Sequence, residues 1–548
     1  MKITDILAQR ASAAANELAY RFLPNDRDEI ELTYSELFGA ADHLATKLAD
    51  AACAGQRILL VYPAGLDFII AFYACLLANA IPVPLPLPKP SDPMQRLNHV
   101  LQDCDPALIF TTSGSKTQVL GQLPEASHHL VVATDLQESV IDARLSPCVA
   151  DSGIALLQYT SGSTSRPKGV QLSSDNLTAN LAQIEQTFGH NRDSCGVIWL
   201  PHFHDMGLIG GILQPLFVGF PVTLFSPISF MQRPLRWLRA IHKYRATTSG
   251  GPNFAYDLCV NKARTAAEEL DLDLSSWKVA FNGAEPVKLR TLASFSTAFA
   301  PNKFDSRAFL PCYGLAESTL LVSGGNIGAD VITSLASPLA EQNQMISCGS
   351  PAQGTTVHIR HVDSDDLCDE GKVGEVCISG ASVSRGYWNQ AAHDENTMRH
   401  TGVRTGDLGY LLRGELYITS RLKDLIIIRG KNVIPEDIEN TVKDAHPLLE
   451  MEGAAAIGIP NDDTEDLVYI QELSARTLRG IDLAATHEAA RDLVLDRHGI
   501  TIKEFLAVPA GSLVRTSSGK ISRSACRQLY INRSFDSISM QEVEPFNA

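Results

Sequence analysis

The sequence predicts an α/β fold followed by a small β-rich module and a compact α+β unit. Three observations indicate this order. In the first part of the chain, short apolar segments typical of buried strands alternate with segments whose apolar residues recur at helical spacing. From about Gly354, short strand-like segments are separated by Gly, Asp and Asn. After Arg421, strand-like and helix-like segments are mixed again within a stretch of domain size.

The N-terminal part carries the clearest helix and strand signals. Thr33 and Glu36 have the spacing of a capping box, and a stripe of apolar residues at helical spacing follows them. The next predicted elements are a strand at 57–62, an apolar helix at 66–80, a proline-rich extended connection at 81–90, and short strands at 107–111 and 130–133. This alternation predicts a doubly wound α/β domain.

The β-rich module and the last unit follow. Strands are predicted at 357–362, 373–379 and 415–418 in the module, and at 425–428, 454–459 and 467–473 in the last unit. Pro435 stands where a first helical turn begins, and acidic residues follow it. A further helix is predicted from about 483 to 498. We place the boundary near 421–423, between a 1–420 domain and a 421–548 domain.

Composition limits the class of protein. Lys+Arg number 46 against 62 Asp+Glu, and the net charge of −16 argues against nonspecific binding to nucleic acid or to an anionic membrane. Eleven cysteines without a C-x-x-C pair are typical of reduced thiols. No signal peptide is visible at the N-terminus, and the most apolar segment, 68–78, is too short to span a bilayer. We therefore expect a cytoplasmic protein.

The central motif is the segment 157–169, Leu-Gln-Tyr-Thr-Ser-Gly-Ser-Thr-Ser-Arg-Pro-Lys-Gly. A predicted strand leads into a loop of hydroxyls around a glycine, and a lysine closes the loop. Backbone N–H groups, small hydroxyls and one cation suit a polyphosphate. A polar surface turn is the alternative, and the order of a Walker A loop is absent. The candidate phosphate ligands are Thr160, Ser161, Gly162, Ser163, Thr164 and Lys168.

Two predicted turns at strand ends could bind a ligand. The first contains Asn282, Gly283, Ala284 and Glu285, and it stands at the carboxyl end of a predicted strand, where open α/β sheets bind ligands. The second begins with Tyr313 and Gly314, whose aromatic ring could stack on a base. Glu317 follows, and its carboxylate could hold a divalent cation. The alternative is an ordinary strand-to-helix turn at the first place and a Tyr-Gly turn with a solvated glutamate at the second.

Three charged motifs lie later in the chain. Asp407 stands in a predicted glycine turn and could accept both hydroxyls of a ribose, or simply cap the turn. Arg421 begins an Arg-Leu-Lys-Asp segment that could also be a charged linker. Lys520 lies on a glycine loop, from which its ammonium group could reach a developing negative charge. An exposed surface lysine is the alternative.

In this order, the motifs resemble those of the adenylate-forming superfamily, which includes acyl-CoA synthetases, peptide-synthetase adenylation domains and fatty acyl-AMP ligases. The resemblance runs from about residue 30 to 530. It is closest to fatty acyl-AMP ligases at 199–211, at 249–259, and at Ala316, where most of the superfamily has threonine. Amino-acid adenylation domains have an amine-binding Asp at the position of His204, so His204 argues against an amino-acid substrate. The segment 323–345 is shorter than the insertion of fatty acyl-AMP ligases at this position, which leaves the acceptor open.

The resemblance implies two α/β subdomains and the β-rich module in the large N-terminal domain, and a mobile C-terminal domain. It implies an enzyme that converts a fatty or related carboxylic acid and MgATP to acyl-AMP and pyrophosphate. The acyl group would then pass to the phosphopantetheine thiol of an acyl carrier protein. A fatty acyl-CoA ligase is one alternative. A non-catalytic nucleotide-binding interaction module is another, and Glu317, Asp407 and Lys520 together count against it.

The resemblance also implies roles for individual residues. Lys520, His204 and Glu317 would be catalytic, with Glu317 holding Mg²⁺, and Lys423 would be the hinge. The nucleotide would contact the phosphate loop and Asn282, Gly283, Ala284, Glu285, Tyr313, Gly314, Ala316, Asp407 and Arg421. The acyl pocket would contain Gly207, Gly211, Ser249, Gly250 and Pro252, although 207–220 could equally be a plain buried helix. Separately, because carrier proteins are usually acidic and the net charge of the chain is −16, docking would need a local basic patch, for which Lys503, Arg515, Arg523 and Arg527 are candidates.

Overall fold

The computed structural model describes residues 1–88, 94–135, 153–160, 167–264, 271–334, 344–364, 366–390, 398–399, 402–429, 431–461, 464–515, 520–536 and 538. These residues form two compact units. The first contains the described residues up to 405 together with 410–418, and the second contains 406–409 and the described residues from 419 onward.

The first unit alternates strands and helices. Its strands, of which the last two have residues in both units, are β1 (Leu18–Phe22), β2 (Ile30–Thr33), β3 (Arg57–Tyr62), β4 (Ile81–Pro86), β5 (Leu108–Thr111), β6 (Val131–Ala133), β7 (Leu156–Thr160), β8 (Lys168–Leu172), β9 (Gly196–Ile198), β10 (Val222–Leu224), β11 (Thr248–Gly250), β12 (Val279–Asn282), β13 (Phe309–Gly314), β14 (Leu321–Gly324), β15 (Thr333–Ser334), β16 (Met345–Ile346), β17 (Ser350–Pro351), β18 (Thr355–Arg360), β19 (Gly374–Gly380), β20 (Met398–Arg399), β21 (Gly402–Leu412) and β22 (Glu415–Arg421). Its helices are α1 (Ile3–Ala13), α2 (Tyr34–Asp50), α3 (Leu66–Leu77), α4 (Met94–Cys104), α5 (Ser113–Leu120), α6 (Ser174–Phe188), α7 (Gln214–Val218), α8 (Pro227–Gln232), α9 (Leu235–Tyr244), α10 (Asn253–Arg264) and α11 (Leu289–Phe299).

Two sheets with parallel strands organise this unit. One has nine strands in the order β17-β14-β13-β12-β11-β9-β10-β1-β2, and its central strands are parallel. The other has four parallel strands in the order β4-β3-β5-β6. Helix α2 begins at the predicted capping box, in which the Thr33 hydroxyl accepts from the Glu36 backbone N–H. The predicted α/β class is confirmed.

Strand β4 differs from the prediction for 81–90. Residues 81–86 pair in parallel with β3 along their whole length, although Pro82, Pro84 and Pro86 lack an N–H donor. Because these prolines occupy alternate positions, all the missing donors lie on the same side of the strand. Strand β4 is at the edge of its sheet, so that side needs no donors. The alternation of prolines was the signal for an edge strand.

The β-rich module has five strands, in the order β18-β19-β21-β20 with β22 on β21. Alternate residues of β18 and β19, such as Val357, Ile359, Val376 and Ile378, are buried in one apolar cluster. This period-2 burial agrees with the predicted module of short strands.

The second unit is an α+β fold. Its own strands are β23 (Ile426–Ile428), β24 (Lys431–Val433), β25 (Ala454–Asn461), β26 (Thr464–Leu473) and β27 (Ile502–Pro509), and its helices are α12 (Pro435–Lys443), α13 (Ala475–Leu478), α14 (Leu483–His498) and α15 (Arg523–Ile531). Strand β26 lies between β25 and β27. Leu467 and Tyr469 enter one apolar cluster, whereas Val468 and Ile470 enter another, so both faces of the sheet are covered.

The cysteines of the described residues are free thiols, and most are buried. Burial raises the pKa of Cys53 to about 11 and that of Cys104, Cys312 and Cys348 to about 12. Among the described residues, none of the helices has the length and apolar character needed to cross a bilayer.

Candidate active site

The predicted phosphate loop connects two strands of a hairpin. Strands β7 and β8 are antiparallel, and Thr160 at the end of β7 is paired with Lys168 at the start of β8. The other predicted phosphate ligands, Ser161, Gly162, Ser163 and Thr164, lie outside the described residues. The Lys168 ammonium nitrogen lies 5.0 Å from the centre of the Tyr387 ring, which is cation–π distance.

Glu317 lies in a short 3₁₀ turn, Ala316–Ser318, directly after β13. The Tyr387 hydroxyl donates to Glu317 Oε1 at 2.6 Å. Tyr387 therefore contacts both the loop lysine and the predicted metal-binding carboxylate. Sequence reasoning missed this residue, and the signal that could have found it is an aromatic residue directly after Gly386, in the segment between β19 and β20.

The two predicted base-binding turns lie at the carboxyl ends of two neighbouring parallel strands of the nine-stranded sheet. Strand β12 ends at Asn282 and pairs in parallel with β13, which contains Tyr313 and Gly314. The side-chain oxygen of Asn282 is buried and has no hydrogen-bond partner among the described residues. A Cβ on Gly283 would lie 2.8 Å from the Cys312 carbonyl oxygen, so the close approach requires glycine, and Ala284 has a positive φ of 71°. Glu285 follows in the same connection.

His204 stands just before a π-helix, Met206–Leu213, that continues into α7. His204 Nδ1 lies 2.5 Å from Asp205 Oδ1, which also accepts from the Met206 backbone N–H. The alternative of a plain buried helix for 207–220 therefore needs correction, because the first half is π-helical. π-helical turns are frequent at functional sites.

The glycines predicted for the acyl pocket are required by packing. A Cβ on Gly207 would collide with the Pro201 carbonyl, one on Gly211 would lie 2.8 Å from Ile198 Cγ2, and one on Gly250 would collide with the Phe281 carbonyl. Buried Ser249 also has a structural role, since its hydroxyl accepts from Trp237 Nε1 at 2.7 Å and donates to the Val197 carbonyl. Pro252 lies in the short connection between β11 and α10.

In the second unit, Asp407 and Arg421 are in direct contact. Arg421 Nε lies 3.1 Å from Asp407 Oδ1, and Asp407 is buried. The predicted glycine turn at Asp407 is wrong, because this residue lies inside β21. The pairing of β21 with its neighbours overrides the turn preference of the flanking glycines, and Gly406 keeps a positive φ of 72° within the strand.

The predicted hinge and catalytic lysine also lie in the second unit. Lys423 is in a 3₁₀ turn, Leu422–Asp424, at the end of β22. Lys520 is half-buried and precedes α15, and an isolated β-bridge joins Arg515 to Ile521 on either side of its loop. Residues 516–519 lie outside the described residues.

Every cation of the predicted basic patch is paired with a carboxylate of the same unit, and its role in carrier docking stays a prediction. The pairs are Lys503 with Asp466 at 3.8 Å, Arg515 with Glu472 at 2.8 Å, Arg523 with Glu439 at 2.8 Å and Arg527 with Glu465 at 3.3 Å. The partners are distant in sequence, so the charge pattern alone could not reveal them.

Comparison with known proteins decides the family. Residues 7–388 match the family described as AMP-binding enzyme, which is more than half of the chain. The chain belongs to the AMP-binding enzyme family. It is 38% identical to the medium-chain-fatty-acid–[acyl-carrier-protein] ligase JamA of Moorena producens, over 97% of this chain and 96% of JamA. It is 33% identical to the putative fatty-acid–CoA ligase FadD21 of Mycobacterium tuberculosis, over 96% of this chain and 97% of FadD21.

A solved structure agrees with this assignment. A structure from a study of fatty acyl-adenylate ligases from E. coli and L. pneumophila is similar with a TM-score of 0.85 and 31% identity, over 97% of this chain and 98% of that chain. The likeness covers both units of this AMP-binding enzyme. It therefore extends beyond the matched family region into the part that carries Lys520.

The site of this AMP-binding enzyme fits a nucleotide and one hard cation. The unpartnered Asn282 oxygen can accept from a donor such as an adenine amino group. Within the described part of the chain, no group of three or more His, Cys, Asp or Glu side chains is placed to hold a metal ion. A single carboxylate such as Glu317 suits Mg²⁺, which is usually bound by one or two carboxylates together with substrate phosphates and water.

Proposed function

We propose that this enzyme activates a fatty or related carboxylic acid with MgATP and transfers the acyl group to the phosphopantetheine thiol of an acyl carrier protein. The observation that carries this proposal is the similarity to JamA over nearly the whole of both chains. His204 supports it, because an uncharged or cationic imidazole is a poor partner for a substrate ammonium group.

In the first step, a carboxylate oxygen attacks the α-phosphorus of ATP. A new phosphorus–oxygen bond forms as the bond to pyrophosphate breaks, so pyrophosphate leaves with the electron pair. Both reactants are anions, and charge neutralisation therefore supplies much of the rate. Mg²⁺, when bound at Glu317, would neutralise phosphate charge. Lys168 and Lys520 are the side chains that we assign to the phosphate and carboxylate oxygens.

In the second step, the acceptor thiol attacks the acyl carbonyl and AMP leaves. A thioester forms, the mixed anhydride breaks, and the thiol proton passes to solvent. We assign Asp407 and Arg421 to the ribose, the turn 282–285 and Tyr313 to adenine, and Lys423 to a hinge between the two steps. The contact between Asp407 and Arg421 supports a joint role, since the guanidinium orients the carboxylate.

Two acceptor thiols are candidates, because one relative is named for a carrier protein and another for coenzyme A. A fatty acyl-CoA ligase is therefore the second candidate. The non-catalytic nucleotide-binding module is a third, which the family of enzymes disfavours.

The test incubates the enzyme with ATP, Mg²⁺ and a panel of fatty acids, with either coenzyme A or a holo carrier protein. We expect fatty-acid-dependent ATP–pyrophosphate exchange and acyl-carrier as the main thioester, identified by mass spectrometry. Equal rates of acyl-CoA and acyl-carrier formation would replace the proposal with the acyl-CoA ligase. Tight ATP binding without exchange for any acid would favour the non-catalytic module.

A further inference from the structure

Tyr387 is placed between two groups of opposite charge. Its hydroxyl donates to Glu317 Oε1 at 2.6 Å, and the Lys168 ammonium lies 5.0 Å from its ring centre. The ring is buried, with 6% of the residue exposed. A buried tyrosine usually needs one hydrogen-bond partner for its hydroxyl. Here the partner is a carboxylate and a cation lies at the ring, which is more than burial of the side chain requires.

The backbone around Tyr387 is fixed to both groups. The Trp388 N–H donates to the Gly169 carbonyl at 2.7 Å, and the Gln171 N–H donates to the Gly386 carbonyl at 2.9 Å. This segment therefore lies along β8, the strand that begins with Lys168. The Ser384 N–H donates to the carbonyl of Glu317 itself at 2.8 Å. One short segment thus connects the hairpin of β7 and β8 to the turn that carries Glu317.

We propose that Tyr387 is a positioning residue. It orients the Glu317 carboxylate toward the metal ion and holds the Lys168 side chain in place for the phosphates. The inference rests on the proposed function, in which Glu317 holds Mg²⁺ and Lys168 contacts the triphosphate. The hydroxyl fixes the orientation of the carboxylate through a charge-assisted hydrogen bond. The ring face holds the ammonium by electrostatic attraction and limits the rotamers of a flexible side chain.

These two effects belong to different parts of the side chain, so substitutions can separate them. Tyr387→Phe removes the hydroxyl and keeps the ring, whereas Tyr387→Leu removes both. A tyrosine that served only packing would show no metal-specific effect of losing its hydroxyl. Tyr530→Phe is the matched control, because the Tyr530 hydroxyl also donates to a glutamate, Glu504, in the other unit.

The experiment measures binding of α,β-methylene-ATP by calorimetry, first in EDTA and then over a series of Mg²⁺ concentrations. We expect Tyr387→Phe to bind the metal-free analogue as wild type does. Its gain in affinity on adding Mg²⁺ should fall by roughly ten- to hundredfold, the scale of one hydrogen bond to a charged group. Tyr387→Leu should in addition weaken metal-free binding. Tyr530→Phe should behave as wild type in both conditions.

A double-mutant cycle with Glu317→Gln tests whether the Tyr387 hydroxyl changes the Mg²⁺ dependence through Glu317. If the hydroxyl acts through Glu317, Tyr387→Phe should have almost no effect on the Mg²⁺ dependence in the Glu317→Gln background. An identical Mg²⁺ titration for wild type and Tyr387→Phe would overturn the inference. A wild-type protein that binds the analogue with Mg²⁺ but catalyses no pyrophosphate exchange would overturn the proposed function, and the binding experiment would still decide the role of Tyr387.

Discussion

Arg523 and Glu439 form a bidentate ion pair, with Nε–Oε1 and Nη2–Oε2 distances of 2.8 Å each. The same guanidinium lies 2.7 Å from Glu436 Oε1 and 3.5 Å from Asp424 Oδ2. Only 15% of the Arg523 side chain is exposed. One buried cation is therefore shared by three carboxylates. Burial and the neighbouring carboxylates raise the pKa of Glu436, while Arg523 opposes this.

We predict that Arg523→Met destabilises the second unit by about 3–5 kcal/mol, because it leaves buried carboxylates without a cation. Arg527→Met is the control, since Arg527 is more exposed and its pair with Glu465 is longer at 3.3 Å. The control should lose less than about 1 kcal/mol. Urea unfolding measures both losses, and hydrogen exchange of peptides from 431–461 locates them. Equal losses in the two variants would contradict the prediction.

Lys520→Ala should lower the rate of acyl-AMP formation by at least about 10²-fold, the scale for removing one transition-state donor. ATP binding should barely change, because the other proposed nucleotide contacts remain. ATP–pyrophosphate exchange and calorimetry measure the two quantities. Lys503→Ala is the matched control, as its side chain is 66% exposed and pairs loosely with Asp466. An unchanged exchange rate in Lys520→Ala would remove this lysine from the mechanism.

Lys423→Pro should separate the two half-reactions. Proline fixes φ at its own position and restricts the preceding residue, so a hinge there loses the backbone freedom that it needs. Acyl-AMP should still form, while transfer to the thiol should collapse. Lys423→Ala removes the same side chain but keeps the backbone free, and it should retain both steps. If the proline variant loses both half-reactions equally, the hinge lies elsewhere or the variant misfolds.

Acid should weaken the first unit through His190. Burial lowers the pKa of His190 to about 4, because desolvation disfavours the imidazolium. In the unfolded chain the pKa of a histidine is about 6.5. Between about pH 6.5 and about pH 4 the unfolded chain therefore binds more protons than the folded chain does. The free energy of unfolding consequently decreases as the pH falls through this range. His190→Asn should reduce this pH dependence, measured as urea midpoints from about pH 7 to about pH 4.5. His43→Asn, at an exposed position, should keep the wild-type slope.

Local signals in the sequence predicted those parts of the fold that depend on neighbouring residues. The Thr33–Glu36 capping box is an example, because both partners lie within one helical turn. Contacts between distant segments could not be predicted in this way. Tyr387 meets Glu317 across 70 residues, and Arg523 meets Glu439 across 84. The glycines around Asp407 predict a turn, whereas strand pairing decides its conformation.

The buried thiols of this enzyme bear on how its second step can be followed. A thiol reacts as its thiolate, and thiols whose pKa is raised to 11 or 12 are almost entirely protonated at neutral pH. Colorimetric reagents that count free sulfhydryls should therefore react slowly with these cysteines in the native enzyme. These buried thiols would then add little background when the consumption of an acceptor thiol is read continuously. For the same reason, a cysteine introduced at an exposed position would take up a thiol-reactive fluorophore faster than these buried thiols do.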